Sequence, residues 1–342
     1  FANSGSEATD SAVKLAWYYN NAVGRPEKKK IISRQKGYHG VTIASASLTG
    51  LPNNHRDFDL PIDRIIHTDC PHYYRFGAAG ESEEDFASRC AANLEKMILD
   101  EGPDTVAAFI AEPVMGAGGV ILPPRTYFEK VQAVLKKYEV LMIADEVICG
   151  FGRTGNMWGS QTFELKPDMI TCAKALSAAF QPISAVMISE PIYQAMLVES
   201  EKVGSFAHGY THAGHPVAAA VALETLNIYE EDDIVGHVRA MAPRFQAGLT
   251  RLGAHALIGE VKGVGLACGL EMVADKTTKE SFPAELKLAG RLEAAGKRNG
   301  LILRTVGDRI AFSPPLIITQ AEIDELLERF ERTLDEVAAA VL

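Results

Sequence analysis

One lysine, Lys174, sits in Thr171-Cys172-Ala173-Lys174-Ala175-Leu176-Ser177, directly after an apolar run and among small residues. Desolvation at such a place lowers an amine's pKa and makes it a nucleophile suited to Schiff-base chemistry. The plainer reading is a lysine laying its stem along apolar surface at a strand end. A pair of acids ends a second apolar run, Ile143-Ala144-Asp145-Glu146-Val147. The carboxyl ends of strands are where α/β sheets hold ligands, and a carboxylate buried there needs a partner. A protonated ring nitrogen would serve; so would an ion pair with Arg153. Ser4-Gly5-Ser6 lead into a helical pattern, and a helix start offers free N–H groups and partial positive charge to a phosphate. The same residues also make an ordinary N-cap that needs no ligand.

Two further patterns carry less. Gly150-Phe151-Gly152-Arg153-Thr154-Gly155 matches the dinucleotide fingerprint G-x-G-x-x-G. Two acids and several residues separate it from the strand, and no convincing helix follows, so a nicotinamide site is rejected. His208, His212 and His215 have spacings that invite zinc. The glycines and proline among them break any continuous helix face and no H-E-x-x-H acid is present, so no metal centre is expected.

These residues need a scaffold. Strands are expected at Lys30–Ser33, Arg64–His67, Val106–Pro113, Val140–Val147, Met169–Thr171 and Ile183–Ile188. Helical patterns lie between them at Ser6–Asn20, Glu83–Ile98 and Tyr127–Lys137. The alternation predicts an α/β fold, a large domain with a mostly parallel sheet sandwiched by helices. A long helix is expected from Pro216 to about Glu231, before a smaller α+β C-terminal domain. That domain has strand regions Glu260–Val273 and Leu301–Ser313 and helices Ala284–Arg298 and Gln320–Val341, the last opened by a capping box at Thr319. The expected division is 1–232 and 233–342.

At 342 residues the chain can bury a sizeable core. Its net charge of −10 argues against nucleic acid as a partner, and no apolar run is long enough to suggest a membrane span. Five scattered cysteines make no paired framework, so a reducing, cytoplasmic setting is the default. The chain opens at Phe1, almost inside the Asn3-Ser4-Gly5-Ser6 motif, and reads as a fragment lacking an N-terminal segment.

The ordered set Ser4-Gly5-Ser6-Glu7-Ala8, Gly37-Tyr38-His39-Gly40, Glu112-Pro113, Asp145-Glu146-Val147 through Gly155, Lys174, His208-Gly209-Tyr210-Thr211 and Ser313-Pro314-Pro315-Leu316 resembles the class III aminotransferases. These are pyridoxal-phosphate enzymes of the aspartate aminotransferase fold, fold type I. The resemblance spans essentially the whole chain. It implies that Lys174 holds the cofactor aldehyde and then shuttles a proton, and that Asp145 keeps the pyridine nitrogen protonated. It implies further that Gly5 and Ser6 bind the phosphate, that Tyr38 and Val147 lie against the ring, and that His39 and Glu112 belong to the cofactor site. Thr211 would reach the neighbouring subunit's phosphate, making a homodimer with shared active sites the unit, or a tetramer built from it.

Relatives that use 2-oxoglutarate typically read E-P-x-Q-G-E and D-E-V-Q-T-G. Here Ala117 stands at the second acid, and Ile148-Cys149-Gly150 follow Val147. Both departures resemble the omega-amino acid or amine:pyruvate transaminases, in which Arg304 would be the flexible arginine that recognises a carboxylate. His212 departs from the aromatic residue usual in that subgroup. The expected activity is ping-pong transfer of an amino group from an omega-amino acid or amine to a keto acid, pyruvate. Alternatives are a same-fold aminomutase or decarboxylase, or a cofactor-binding fragment without a complete active site; a dehydrogenase is the distant one.

Overall fold

The computed structural model describes residues 1–342. Six strands form the larger sheet: β1 (Lys30–Arg34), β2 (Ile65–Thr68), β3 (Val106–Ala111), β4 (Leu141–Asp145), β5 (Met169–Cys172) and β6 (Ala185–Ile188). Their order is β2-β1-β3-β4-β5-β6, parallel throughout except for β6, which runs antiparallel to β5. Every residue of β3 and β4 is buried, as expected for central parallel strands covered on both faces. Alternation assigns the faces. Phe109 and Met142 pack under helices Glu83–Glu101 and Tyr127–Lys137, alongside Phe86 and Val131. Ile110 and Ile143 pack on the other side against Ala12 and Ala16 of helix α1 (Gly5–Ala22). Two residues after Ile143, Asp145 ends its strand on the side of α1.

The second sheet is antiparallel: β7 (Ile258–Val264), β8 (Ala267–Met272), β9 (Arg304–Val306) and β10 (Arg309–Phe312), ordered β7-β8-β10-β9. Helices Ile234–Leu252, Leu288–Arg298 and Gln320–Val341 cover it, and Phe245, Leu292, Ile310 and Phe330 fill the space between. Thr319 caps the last helix. Its Oγ1 accepts from Glu322 N at 3.3 Å while Thr319 N donates to Glu322 Oε2 at 2.8 Å.

Several elements differ from expectation for local reasons. The strand toward Pro113 stops at Ala111, because Pro113 lacks an N–H for the ladder. The stretch 260–273 is a hairpin that turns at Gly265 (φ +55), and 301–313 turns at Gly307 (φ +59). The helix expected from Ala284 starts at Leu288, after Lys287 takes a left-handed conformation (φ 48). Helices Glu190–Val203 and Ile234–Leu252 add to those anticipated. No helix is long and apolar enough to cross a membrane.

Candidate active site

Four strand ends and one helix start converge on a cavity of about 450 Å³. Past the end of β5, Lys174 opens a 3₁₀ turn, Lys174–Ser177, with its own backbone left-handed (φ 47). A residue bearing a Cβ is strained there by about 1–3 kcal/mol. The turn is held by Ala179 N donating to Lys174 O (3.2 Å) and Ser177 Oγ donating to Gln181 O (2.6 Å). The lysine side chain reaches solvent through the cavity, yet dense protein surrounds it. Desolvation lowers its pKa below the ordinary lysine value; Asp145 and Glu112 oppose that shift, and the Arg304 charge adds to it.

Asp145 faces the same cavity. Its Oδ2 lies 2.7 Å from His39 Nδ1 and its Oδ1 accepts from Val147 N at 3.1 Å. With Asp145 ionised, the short contact requires the His39 proton on Nδ1, leaving Nε2 buried without a partner. The ion pair with Arg153 is not formed. Arg153 instead donates to the carbonyls of Leu266 (2.9 Å) and Pro314 (2.6 Å), and burial pushes its pKa down to about 10.

Glu112, one residue past β3, is fully buried and ties two loops. Its Oε1 accepts from Tyr38 N (3.0 Å) and its Oε2 from Gly116 N (2.8 Å), while Arg34 Nη2 donates to its carbonyl at 2.5 Å. Burial pushes its carboxyl pKa up.

At the start of α1 both readings of Ser4-Gly5-Ser6 hold together. Ser4 Oγ caps the helix by accepting from Glu7 N (3.2 Å), and Glu7 Oε2 accepts from Asn3 N (2.6 Å). The amides of Gly5 and Ser6 have no partner and border the cavity. A Cβ on Gly5 would lie 3.2 Å from Val147 Cγ1, so the glycine lets α1 rest on that side chain. Gly40 (φ +137) is tighter still, pressed between Ser45 and Ser6, whose Oγ accepts from Val41 N at 3.1 Å.

The cavity thus gathers Gly5, Ser6, Tyr38, His39, Glu112, Asp145, Val147 and Lys174. Two anticipated residues lie outside it. Thr211 is exposed on the turn after Tyr210, which is docked on α1 by its hydroxyl donating to Glu7 O at 3.1 Å. Arg304 opens β9 and borders a separate chamber of about 40 Å³; Ile148 lines both spaces. Sequence reasoning missed Asn3, Ser177, Gln181, Pro182 and Ile148 as wall residues. Gly40 was the readable signal, since a glycine after Tyr38-His39 marks a turn that brings backbone close to α1.

The two weaker patterns have structural roles. His208 contacts Ser11 Oγ (3.0 Å) and Lys14 Nζ (3.0 Å), and His215 Nδ1 accepts from Val217 N (3.3 Å). No group of three or more potential ligands is gathered as a metal site would require. The short helix Gly159–Thr162 after the glycine-rich turn has its first amides taken by Glu146, which accepts from Gly159 N (2.9 Å) and Ser160 N (2.6 Å).

Chemically, the cavity offers a lysine amine, a carboxylate able to hold a protonated base, and free helix-start amides for an anion. The family model described as "Aminotransferase class-III" matches residues 1–334. A probable gamma-aminobutyrate transaminase 3, mitochondrial, of Oryza sativa subsp. indica is 55% identical over 330 residues, covering 96% of this chain and 65% of that protein. The gamma aminobutyrate transaminase 1, mitochondrial, of Solanum lycopersicum is 53% identical over 341 residues, covering 100% of this chain and 66% of that protein. The chain therefore spans about 65% of the length of these curated relatives. Among solved structures, a transaminase with L-Ala superposes with TM-score 0.98 at 58% identity, over 100% of this chain and 80% of the other. The omega transaminase from Pseudomonas jessenii in complex with PMP superposes with TM-score 0.97 at 52% identity, over 99% of this chain and 75% of the other.

Proposed function

The chain belongs to the class III aminotransferases, and from that premise we propose that it is a transaminase moving an amino group from an omega-amino acid or amine to pyruvate. Enzymes of this family use pyridoxal phosphate, and the residues present fit it. The unpartnered amides of Gly5 and Ser6 suit the phosphate, Asp145 suits a protonated ring nitrogen, and the Lys174 amine suits the aldehyde. The observation that carries the reading is this convergence: a desolvated lysine amine in one cavity with the Asp145–His39 pair and a free helix start.

When bound, the cofactor supplies a ring that absorbs the electron pair released when the amine-bearing carbon loses its proton. Lys174 Nζ, whose own proton is held less tightly because of desolvation, takes the proton from that carbon and returns it. Asp145, paired with His39 and accepting from Val147 N, presents its open edge to positive charge in the cavity. Glu112 fixes the Tyr38 backbone and hence one wall of the cavity. In this reading residues 1–232 supply the cofactor contacts and 233–342 supply Arg304, which recognises the carboxylate of an omega-amino acid or of pyruvate. Pyruvate is favoured over 2-oxoglutarate because Ala117 stands where a second acid would hold the arginine aside for a dicarboxylic substrate. The gamma-aminobutyrate transaminases among the relatives support an omega-amino donor. Exposed Thr211 suits a residue serving a partner's site in a homodimer. All five cysteines are buried free thiols, which suits a reducing compartment.

The test is the visible absorption of the chain loaded with pyridoxal phosphate, with borohydride trapping in wild type and Lys174→Ala. The expected result is a Lys174-dependent band and a trapped mass on Lys174; β-alanine or an aryl amine bleaches the band, and pyruvate restores it better than 2-oxoglutarate does. A folded chain without a Lys174-dependent band refutes the assignment. A band that donors never move leaves only a cofactor-binding fragment, and turnover of one substrate without a keto acid marks an aminomutase or decarboxylase.

A further inference from the structure

A buried charged hub joins the second sheet to the cavity wall. Glu260 of β7, Glu271 of β8 and Arg309 of β10 lie on one rung of that sheet, since Glu260 pairs with Glu271 and Glu271 with Arg309. Two acids side by side demand a cation. Arg309, only 2% exposed, provides it: Nη1 lies 2.8 Å from Glu271 Oε2 and 3.2 Å from Glu260 Oε2. His72 Nε2 lies 2.9 Å from Arg309 Nη1 and 2.9 Å from Glu260 Oε2, and Arg75 pairs with the other oxygen of Glu271.

The rest of the guanidinium leaves its own sheet. Nε donates to Gly119 O at 2.8 Å and Nη2 to Val120 O at 3.1 Å. Two glycines make room for it. A Cβ on Gly119 would sit 2.9 Å from Arg309 Cδ, and one on Gly269 would overlap Arg309 Nη2 and the carbonyls of Gly119 and Val120. The loop so held starts at Gly116, whose N–H donates to Glu112 of the cavity and where an added Cβ would lie 2.7 Å from Ile148 Cδ1. On the other side, Ala311, two residues along β10 from Arg309, pairs with Arg304 of β9. One guanidinium therefore references both the loop behind the cavity wall and the strand that carries Arg304.

We propose that Arg309 is a positioning residue for substrate carboxylates: by clamping Gly119 and Val120 to β10 it fixes Arg304 at the working distance from the Lys174 cavity. The inference rests on the transaminase reading above. A purely structural Arg309 would affect every donor alike. A positioning Arg309 affects substrates that present a carboxylate and spares aryl amines, which do not use Arg304.

The experiment compares wild type, Arg309→Met and Arg309→Lys, each loaded with pyridoxal phosphate. Calorimetry with 3-hydroxypropanoate, a carboxylate analogue of β-alanine that carries no amine, gives binding without turnover. Donor-only bleaching gives concentration dependence for β-alanine and for an aryl amine. Losing a bidentate carboxylate contact is expected to weaken 3-hydroxypropanoate and β-alanine by about tenfold while the aryl amine changes by less than about twofold. Arg309→Lys keeps the charge beside Glu271 but cannot fork to both carbonyls; it should show the same selectivity and keeps the test measurable if the methionine variant does not fold. Equal losses for both donors, or no loss in a folded lysine variant, overturn the proposal. Wild type without a Lys174-dependent band is a different result, and it refutes the transaminase reading instead.

Discussion

The packing of α1 against the Gly37–Gly40 turn is testable by adding one methyl group. Gly40→Ala must hold alanine at φ +137, which costs about 1–3 kcal/mol. Its Cβ would also overlap the Oγ atoms of both Ser45 and Ser6. Overpacking of that kind adds about 1–3 kcal/mol, for a total of about 2–6 kcal/mol. Gly24→Ala is the matched control: φ is +77, but no atom lies within 4 Å of the new Cβ, so only the backbone contribution of about 1 kcal/mol remains. Chemical denaturation of both cofactor-free variants gives the difference, expected to be at least about 1 kcal/mol in favour of Gly24→Ala. Because Ser6 must yield to the methyl group, Gly40→Ala should also weaken pyridoxal phosphate binding by about tenfold, where Gly24→Ala leaves it unchanged. Equal destabilisation by the two substitutions would show that Gly40 is not wedged between Ser6 and Ser45, and the account of how α1 is aimed at the cavity would fail.

Three other perturbations separate stability from chemistry. Lys174 has a folded pKa below its unfolded value, so the unfolded chain binds more protons between the two and stability rises with pH across that window. Lys174→Met should therefore be the more stable form of the cofactor-free chain at pH 7, with the gap in melting temperature closing as the pH approaches 10; a pH-independent gap would contradict this. Glu112→Gln is expected to destabilise by about 1–3 kcal/mol despite its near-identical shape, because its amide group must face either Tyr38 N–H or Gly116 N–H, and melting curves would show it. Asp145→Asn can still accept from Val147 N and meet His39 through its amide, so its stability should stay within about 1.5 kcal/mol of wild type. Its half-reaction rate should fall by about 10²-fold or more, measured by donor-induced bleaching, and the pH profile should move downward because Asp145 supports the charged form of Lys174.

Much of this site was legible because its residues sit where short-range rules apply. A strand of period two that ends in Asp145 announces both the burial and the side it faces, and Ser4-Gly5-Ser6 ahead of an apolar stripe announces a helix start. The pairings were not legible. His39 and Asp145 are 106 positions apart, and nothing local in either stretch names the other; the plausible neighbour Arg153 went to two carbonyls instead. The limit of β3 was readable in Pro113, but not that Glu112 just before it binds the amides of two loops. The hairpins at Gly265 and Gly307 were hidden because each glycine lies inside a longer β-like run and only its positive φ makes it a corner.

The same distinction bears on the proposed division of labour between the two sheets. The groups lining the cavity stand on parallel strand ends and one helix start, where backbone geometry alone brings them together. Arg304 stands on an antiparallel hairpin whose register to those strands no ladder sets. Position is transmitted across the junction by side chains and by the backbone bond from Leu266 N to Arg153 O (3.0 Å). A hub of alternating charges suits that task, because a displaced partner leaves an unpaired buried charge and the arrangement resists small shifts steeply. Arg309 with Glu260, Glu271, His72 and Arg75 has that form, and it meets the Gly116–Val120 loop that Glu112 holds from the other end. With Arg304 as the proposed carboxylate contact, substitutions around Arg309 should alter which donor is accepted before they alter whether the Lys174 amine reacts.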